Sequence, residues 1–426
     1  MTNSSMAADR PMAPAQKRPF HGWIMVWASF AILMVGFGVA YTFPAFFDPL
    51  ASEYAIDRGD TSRIFGIAGF LYFFLGAWSG PAGDRIGARP VVIFGSIVTA
   101  LGLFLASRAE SVTQVYWAYG LGVGVGVGCM YVPAIGVVQR WFAVRRATAS
   151  GMAIMGIGVG TFIAPHVADL LIEQGGWRNA YAILALAVLV IGVGAAALLS
   201  NAPDSRGQFP DGSDGPPTGI NAGPSLTGPE ARRTFPHWMI FAGAMLVSIG
   251  LFVPFVHIAK FAEGIGLSED QGFWVISTIG IGSILGRIAL GPVAQKFGRQ
   301  PVVTFLYFGL AVSMVGWNFS TEYWHLLVFG VVFGTLYGGF VALAPTLLAD
   351  YFGVQHTGSI IGFVYASVGV GALIGPALAG DLFDAYGSYE YPILVGAMLC
   401  LIAAVCVMLP KSPAVWRAER FGSHHY

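Results

Sequence analysis

Residues 80–90 read GPAGDRIGARP, and residues 291–301, 211 positions later, read GPVAQKFGRQP. A second pair of segments has the same offset: residues 158–165 read GVGTFIAP, and residues 369–376 read GVGALIGP. Two separate matches at one offset indicate that the chain contains two copies of one structural unit. Each copy is therefore expected to fold into the same arrangement of elements.

Both copies are embedded in long apolar segments. The chain has 426 residues, of which 56% are hydrophobic and 10% are charged, whereas a soluble domain has about 25% charged residues. An apolar segment of about 20 residues crosses a bilayer as a helix, because lipid offers no other partner to the backbone. The sequence predicts twelve such spans, at roughly 22–46, 62–82, 89–107, 112–139, 147–171, 177–200, 236–262, 270–294, 300–318, 324–350, 356–380 and 388–410.

We therefore predict an all-α membrane protein whose twelve transmembrane helices form two pseudo-symmetric six-helix bundles. Parallel repeats of this kind rock against each other around a site at their interface. A segment rich in Gly, Pro, Ser and Asp, without apolar periodicity, predicts a linker between them. The predicted divisions are a tail at 1–21, a bundle at 22–200, the linker at 201–235, a bundle at 236–410 and a tail at 411–426.

The basic residues predict the orientation of the chain. Sixteen of the 22 lysines and arginines fall on the side of the N-terminus, five on the other side, and Arg287 within a span. This bias is typical of cytoplasmic segments, so both termini are expected in the cytoplasm of a multi-pass cell-membrane protein. A formal net charge of zero gives no indication of a nucleic-acid partner. No cluster of acids, His or Cys shares one depth, so we expect neither an enzyme nor a metal or cofactor site.

Arg287 is the main candidate for a binding residue. It lies about eight residues from the end of span 8, or roughly 12 Å deep at 1.5 Å per residue. The equivalent position in the first copy is Gly76, so the fold itself does not require the charge. Its planar, permanently charged fork matches a carboxylate. An anionic substrate is expected to supply the missing counter-ion; an arginine that extends to the surface, or a structural ion pair, is the alternative.

Four further residues are candidates for the same site. Ser283 is one turn before Arg287, and Tyr131 and Tyr337 lie in spans 4 and 10, where each could line a pocket or pack between helices. His257 follows Pro254 in span 7 and could bind a carboxylate, carry a proton or simply pack. Its neighbour Lys260 is expected to extend to water at the outer end of the span.

The segment at 80–90 resembles the loop signature of the major facilitator superfamily. That resemblance implies a gating role for Asp84, Arg85 and Arg89, and for Lys296 and Arg299 in the second copy. Asp84 and Arg85 are expected to pair with helix ends and hold one conformation; a basic turn without a gating role is the alternative. Gln295 replaces the acid in the second copy, so the second copy is expected to stabilise one conformation less strongly than the first.

Other motifs resemble the monocarboxylate transporter family and its bacterial oxalate and formate relatives. They are GW at 22–23, YTFP at 41–44, RRATASGMA at 145–153, PFVH at 254–257 and GR at 286–287. The resemblance implies transport of short monocarboxylates, often with a proton, and assigns the carboxylate to Arg287.

Two departures from the family pattern affect how transport could be coupled to protons. Ala45 and Ser283 stand where many animal members have a lysine and an aspartate, so the proton scheme built on those residues does not transfer. His257 is then the candidate for the proton carrier. The alternative is that the protein exchanges anions without net proton movement. Span 11 has no Lys or Arg, which favours a substrate with one carboxylate.

The favoured function is secondary active transport of a small monocarboxylate by alternating access, as a proton-coupled symporter. Exchange of organic anions is the alternative. Efflux of drug-like compounds would be expected to place an acid within spans 1 or 4, and a membrane sensor would be expected to carry an appended soluble domain; neither feature is found. The expected partners are the carboxylate, protons and the lipid bilayer, with the monomer as the functional unit.

Overall fold

The computed structural model describes residues 19–213, 215, 224–353 and 356–422, and the helices in this part of the chain carry almost all of its secondary structure. Eleven of the helices are long and apolar enough to cross a membrane. One of them, Arg146–Leu198, is broken at Gly176, where φ is 75° and ψ is 164°, so it forms two crossings. The predicted count of twelve spans is confirmed. The predicted tails and linker fall partly outside the described residues.

We number the helices of nine or more residues α1 to α13 in chain order. They are α1 (Gly22–Tyr54), α2 (Arg58–Ile86), α3 (Ala88–Ala106), α4 (Val112–Trp141), α5 (146–175), α6 (177–198), α7 (Phe235–Gly264), α8 (Glu269–Phe297), α9 (Arg299–Asn318), α10 (Tyr323–Phe352), α11 (Thr357–Tyr386), α12 (Glu390–Met408) and the short α13 (Pro413–Phe421).

Several helices extend beyond the apolar spans that the sequence predicts. Helix α2 begins at Arg58 because the Asp57 carboxylate accepts a hydrogen bond from the backbone N–H of Asp60, at 2.7 Å. Helix α8 begins after Ser268, which forms a reciprocal capping box with Gln271. These side chains satisfy N–H groups that lack a partner at a helix start. Polar caps therefore lengthen α2 and α8 at their starts.

The two repeats have matching turns. Gly87, between α2 and α3, has φ 94° and ψ 146°, and Gly298, between α8 and α9, has φ 89° and ψ 146°. This left-handed region favours glycine over residues with a Cβ atom. The side chain two residues later then caps the last helix of the same half: Arg89 donates to the carbonyl of Leu199, at 2.7 Å through Nη2, and Gln300 donates to those of Val407 and Pro410.

The two six-helix halves meet along three helix pairs: α2 with α11, α5 with α8, and α1 with α7. Glycines allow close backbone approach in the first two pairs, at Gly59 with Gly380 and at Gly158 with Gly280. We call the side on which α1 begins the termini face and the opposite side the distal face. The helix interfaces therefore position side chains from both halves along one central seam.

Candidate functional site

Arg287 reaches the centre of the molecule because α8 packs closely on α10. A Cβ atom on Gly286 would overlap the carbonyl oxygen of Thr335, and one on Gly338 would overlap that of Ser283. Small residues let the two backbones approach. As a result, the guanidinium carbon of Arg287 lies 5.9 Å from the centre of the Tyr337 ring.

The hydrogen bonds of Arg287 are incomplete. Its side chain is buried, and Nη1 donates to Ser283 Oγ at 2.6 Å. The Nε and Nη2 atoms are buried and have no hydrogen-bond partner among the described residues. These two N–H groups lie on one edge of the planar guanidinium and match the two oxygens of a carboxylate. A buried donor without a partner is energetically unfavourable, so an acceptor that binds this edge would be stabilising.

Aromatic side chains from both halves surround the guanidinium. The hydroxyls of Tyr41 and Tyr337 lie 3.3 Å apart and join the first half to the second. The Tyr41 ring stacks on Phe255 with centroids 4.7 Å apart, and Tyr41 and Tyr131 are close enough to interact electrostatically with Arg287. The structure therefore brings Arg287, Ser283, Tyr131 and Tyr337 together. Tyr41 belongs to the same site, although sequence reasoning noted only its YTFP motif.

His257 lies in a different set of contacts. Its Nε2 is 2.9 Å from the carbonyl oxygen of Pro376, and its Nδ1 is 3.2 Å from the hydroxyl of Tyr389. A carbonyl only accepts, so the network assigns the proton to Nε2 and leaves Nδ1 to accept from Tyr389. Arg58 in turn donates to the Tyr389 oxygen at 2.6 Å. In this conformation His257 therefore joins the halves through Ser62, 3.1 Å away, and does not hydrogen-bond Arg287.

The expectation that Lys260 extends to water is wrong. Its side chain is only 4% exposed and forms ion pairs with Asp48 and Glu263. Helix α1 continues past its apolar segment to Tyr54, which carries Asp48 across to α7. Lys260 therefore bridges the two halves.

These contacts continue along α2 and α11. Arg63 Nη2 donates to both carboxylate oxygens of Asp381, at 2.8 and 3.0 Å, and the backbone N–H of Gly59 donates to Asp384 at 3.0 Å. We name the whole set the distal lock: Asp48, Arg58, Ser62 and Arg63 from the first half, and His257, Lys260, Asp381, Asp384 and Tyr389 from the second. Further side-chain contacts between the halves include the Tyr41–Tyr337 pair, Tyr131 with Tyr365, the contacts of Ser277 with α5, and His166 Nδ1 at 3.9 Å from Asp270.

The repeated loop motifs make their contacts within single halves. Asp84 accepts from Nη1 of Arg140, in the last turn of α4, at 2.6 Å. In the second copy Arg299 pairs with Asp350, so that copy has an ion pair despite Gln295. The side chains of Arg85 and Lys296 are exposed. The halves are thus held together on the distal side, and the gating role of these motifs stays a prediction.

Comparison with known proteins identifies the fold and the family. The family model of the Major Facilitator Superfamily matches residues 28–317 and 238–423. A crystal structure of a bacterial homologue of the human lysosomal transporter Spinster, inward-facing and unoccupied, superimposes with a TM-score of 0.67. It covers 92% of this chain and 97% of that one at 14% identity, which supports the fold alone.

Curated relatives are named as monocarboxylate transporters. Monocarboxylate transporter 12-B of Danio rerio is 30% identical over 395 residues, covering 86% of this chain and 82% of that protein. Monocarboxylate transporter 4 of Rattus norvegicus is 29% identical over 421 residues, covering 94% and 87%. Monocarboxylate transporter 11 of Homo sapiens is 28% identical over 403 residues, covering 92% and 83%. With its twelve helices in two repeated halves, this chain belongs to the major facilitator superfamily and, within it, to the monocarboxylate transporter family, and is a membrane transporter rather than an enzyme.

Proposed function

We propose that the protein moves a small monocarboxylate across a cell membrane by alternating access, with the carboxylate bound by Arg287. The observation that carries this proposal is the unpaired Nε and Nη2 edge of a buried guanidinium. A carboxylate on that edge would form two charge-assisted hydrogen bonds and neutralise the cation. The names of the related transporters support the same substrate class.

The surroundings of Arg287 favour a small substrate with one carboxylate. Arg287 and Lys260 are the buried Lys and Arg side chains among the described residues, and Lys260 is already paired with two acids. Phe37 packs edge-on against Tyr131, and Phe255 packs edge-on against Tyr337, so the tyrosines near the guanidinium are backed by apolar rings. A second carboxylate would have no cation of its own there.

The contacts between the halves suggest which face is open to the site. The distal lock closes one face, whereas the loop motifs on the termini face join helices of the same half. If the basic-residue bias places the termini face in the cytoplasm, this conformation is the inward-facing one. Outward opening would then require the distal lock to separate.

We further propose that His257 is the proton carrier of a symport cycle. Protonation of Nδ1 would convert the acceptor of the Tyr389 hydrogen bond into a donor, so Tyr389 would have to reorient. Arg58, which donates to the same oxygen, is the nearest charged group in that network. Proton binding would in this way weaken the distal lock. Exchange without protons remains the second candidate, because no acid contacts Arg287 among the described residues.

The test is uptake into proteoliposomes. Labelled lactate, pyruvate, formate and acetate would be offered with and without a pH gradient, to the wild type and to Arg287→Lys, Arg287→Ala and Arg108→Gln. Arg108 is exposed on the distal face and serves as the matched loss of one positive charge. We expect both Arg287 variants to fold and to lose uptake, and Arg108→Gln to retain it. Normal uptake by both Arg287 variants would contradict the assignment.

A further inference from the structure

The distal face has a strong negative charge. Fourteen Asp and Glu residues lie at the distal ends of the helices or in the distal loops, together with five Lys and Arg residues. With neutral histidines this surface has a formal charge of minus nine, which repels an anion that approaches from solution. Three of the five basic residues, Arg58, Arg63 and Lys260, belong to the distal lock, where the halves separate when this face opens.

Two of these three cations keep a partner when the halves separate. Lys260 pairs with Asp48 across the seam and with Glu263 on its own helix. Arg63 in the same way pairs with an acid of α11 across the seam and with Asp60 on its own helix. Each of these cations therefore stays neutralised by an acid of its own half and is not available to bind an anion from solution.

Arg58 differs from them because its side-chain contacts are with the other half. Its Nη1 donates to the hydroxyl of Tyr389 at 2.6 Å, and its guanidinium carbon lies 4.3 Å from the centre of the Phe383 ring. Arg58 takes part in none of the ion pairs among the described residues. The neighbouring Asp57 carboxylate is used to cap α2 through the N–H of Asp60. Separation of the halves therefore leaves Arg58 as a cation without a partner at the distal end of the seam.

We infer that Arg58 is an entry site for the carboxylate on the distal face, a second anion-binding residue that precedes Arg287 on the path. The inference rests on the proposed transport of a carboxylate. In the separated form the substrate carboxylate replaces the Tyr389 hydroxyl on the guanidinium, because a hydrogen bond between two charged groups is stronger than one to a neutral oxygen. When the halves close, Arg58 returns to Tyr389 and the carboxylate continues to Arg287. No covalent bond changes in these steps.

The contacts next to Arg58 connect the distal end of the seam to the central site. The hydroxyl that accepts from Arg58 lies 3.2 Å from Nδ1 of His257. Two residues earlier on α7, the Phe255 ring stacks on Tyr41, which interacts electrostatically with Arg287. Arg58 therefore lies at the distal end of a row of side chains that leads to Arg287. Because both ends of the row carry a positive charge, an anion is attracted there despite the acidic surface around it.

The first test measures uptake of labelled lactate by proteoliposomes, far below saturation, at low and high ionic strength. Arg58→Gln removes the charge but keeps an N–H for Tyr389, Arg58→Lys keeps the charge, and Arg108→Gln removes a distal charge outside the lock. We expect Arg58→Gln to lower uptake at least about threefold in low salt and to approach the wild type in about 1 M salt, where the Debye length is about 3 Å. Arg58→Lys should retain most of the uptake, and Arg108→Gln should retain all of it.

Two results of this experiment would overturn the inference. One is uptake by Arg58→Gln that equals the wild type in low salt. The other is a deficit of the same size at both ionic strengths, because contacts within the closed lock are screened much less than an open surface. Normal uptake by the Arg287 variants would instead contradict the proposed function.

A second measurement does not require transport. In the double variant Asp48→Asn, Arg287→Ala, the distal face is expected to open more often and the central cation is absent. Phenylglyoxal, which modifies arginine side chains, would be applied with lactate or with neutral lactamide, and the modified peptides would be quantified by mass spectrometry. We expect lactate to slow the modification of Arg58 and to leave that of Arg108 unchanged. Equal modification of Arg58 in the presence of lactate and of lactamide would show that no carboxylate binds there.

Discussion

At the scale of single residues, two buried cations show what local sequence can and cannot predict. The apolar stretch around Arg287 predicts its burial, because hydropathy is a local property. The stretch around Lys260 predicts an extended side chain, and this is wrong because Asp48 belongs to a distant segment. Partners from other helices depend on inter-helix register. The sequence alone therefore could not distinguish a paired cation from an unpaired one.

His257 gives the second test at this scale. His257→Gln keeps an N–H that can donate to the Pro376 carbonyl and an oxygen that can accept from Tyr389, but it cannot bind a proton. We expect the variant to bind the monocarboxylate as the wild type does while its uptake rate varies less between about pH 5 and 8. Uptake profiles and binding would be measured on the same preparation, and an unchanged profile would assign proton coupling to another group.

At the scale of helices, close packing and ionic contacts have separate roles. The close approach of α8 to α10 at Gly286 and Gly338 fixes the position of Arg287. The glycines can be read from the sequence, but the helix that each one contacts cannot. The distal lock is built from polar helix ends. The exposed Arg63–Asp381 pair contributes about 0–1 kcal/mol. Lys260 is buried, so separation of the lock during a transport cycle must leave it paired with Glu263 on its own helix or hydrated.

The two acids on Lys260 provide a matched pair of variants. Asp48→Asn removes the ion pair between α1 and α7 and leaves Lys260 neutralised by Glu263, whereas Glu263→Gln removes only the pair within α7. We expect Asp48→Asn to open the distal face more often. Labelling of Ser62→Cys, at a buried position of the lock, by an impermeant maleimide would report this opening after the native cysteines are replaced.

Faster labelling is expected with Asp48→Asn than with Glu263→Gln. Equal labelling in the two backgrounds would mean that the Lys260–Asp48 pair does not hold the distal face closed.

At the scale of the whole molecule, the repeat predicts the architecture correctly. Residues 80–90 and 291–301 form equivalent turns, at Gly87 and Gly298, and Arg89 and Gln300 cap equivalent helix ends. Hydropathy predicts the twelve spans, because each transmembrane helix must hydrogen-bond its own backbone groups. The side on which the halves close could not be predicted, because it depends on contacts between segments far apart in sequence.

The segment between the halves is docked on the first half through Asp211. Its carboxylate accepts from the backbone N–H groups of Ala143, Val144 and Arg145, at 2.8, 2.7 and 3.1 Å. Partial burial acts to raise the pKa of Asp211, but these hydrogen bonds outweigh it and hold the pKa below its ordinary value. A lowered pKa means that the docking is fully present above about pH 3.9 and is lost as the pH falls through the lowered value.

Hydrogen exchange of the three amides measures this docking. We expect slow exchange at neutral pH in the wild type and faster exchange in Asp211→Asn, with Asp204→Asn as a control on the same segment. The wild type should approach the variant only in acid below the lowered pKa. Equal exchange in the wild type and Asp211→Asn at neutral pH would contradict the docking.

The central claim is that the unpaired edge of Arg287 binds the carboxylate of the substrate. Titration calorimetry of lactate into the purified protein tests it most directly, with Arg287→Lys as the variant that keeps the charge and loses the planar fork. A hydrogen bond to a charged group contributes about 1.5–3 kcal/mol, so we predict that the variant binds at least about tenfold more weakly. Equal affinity of the wild type and Arg287→Lys would contradict the account.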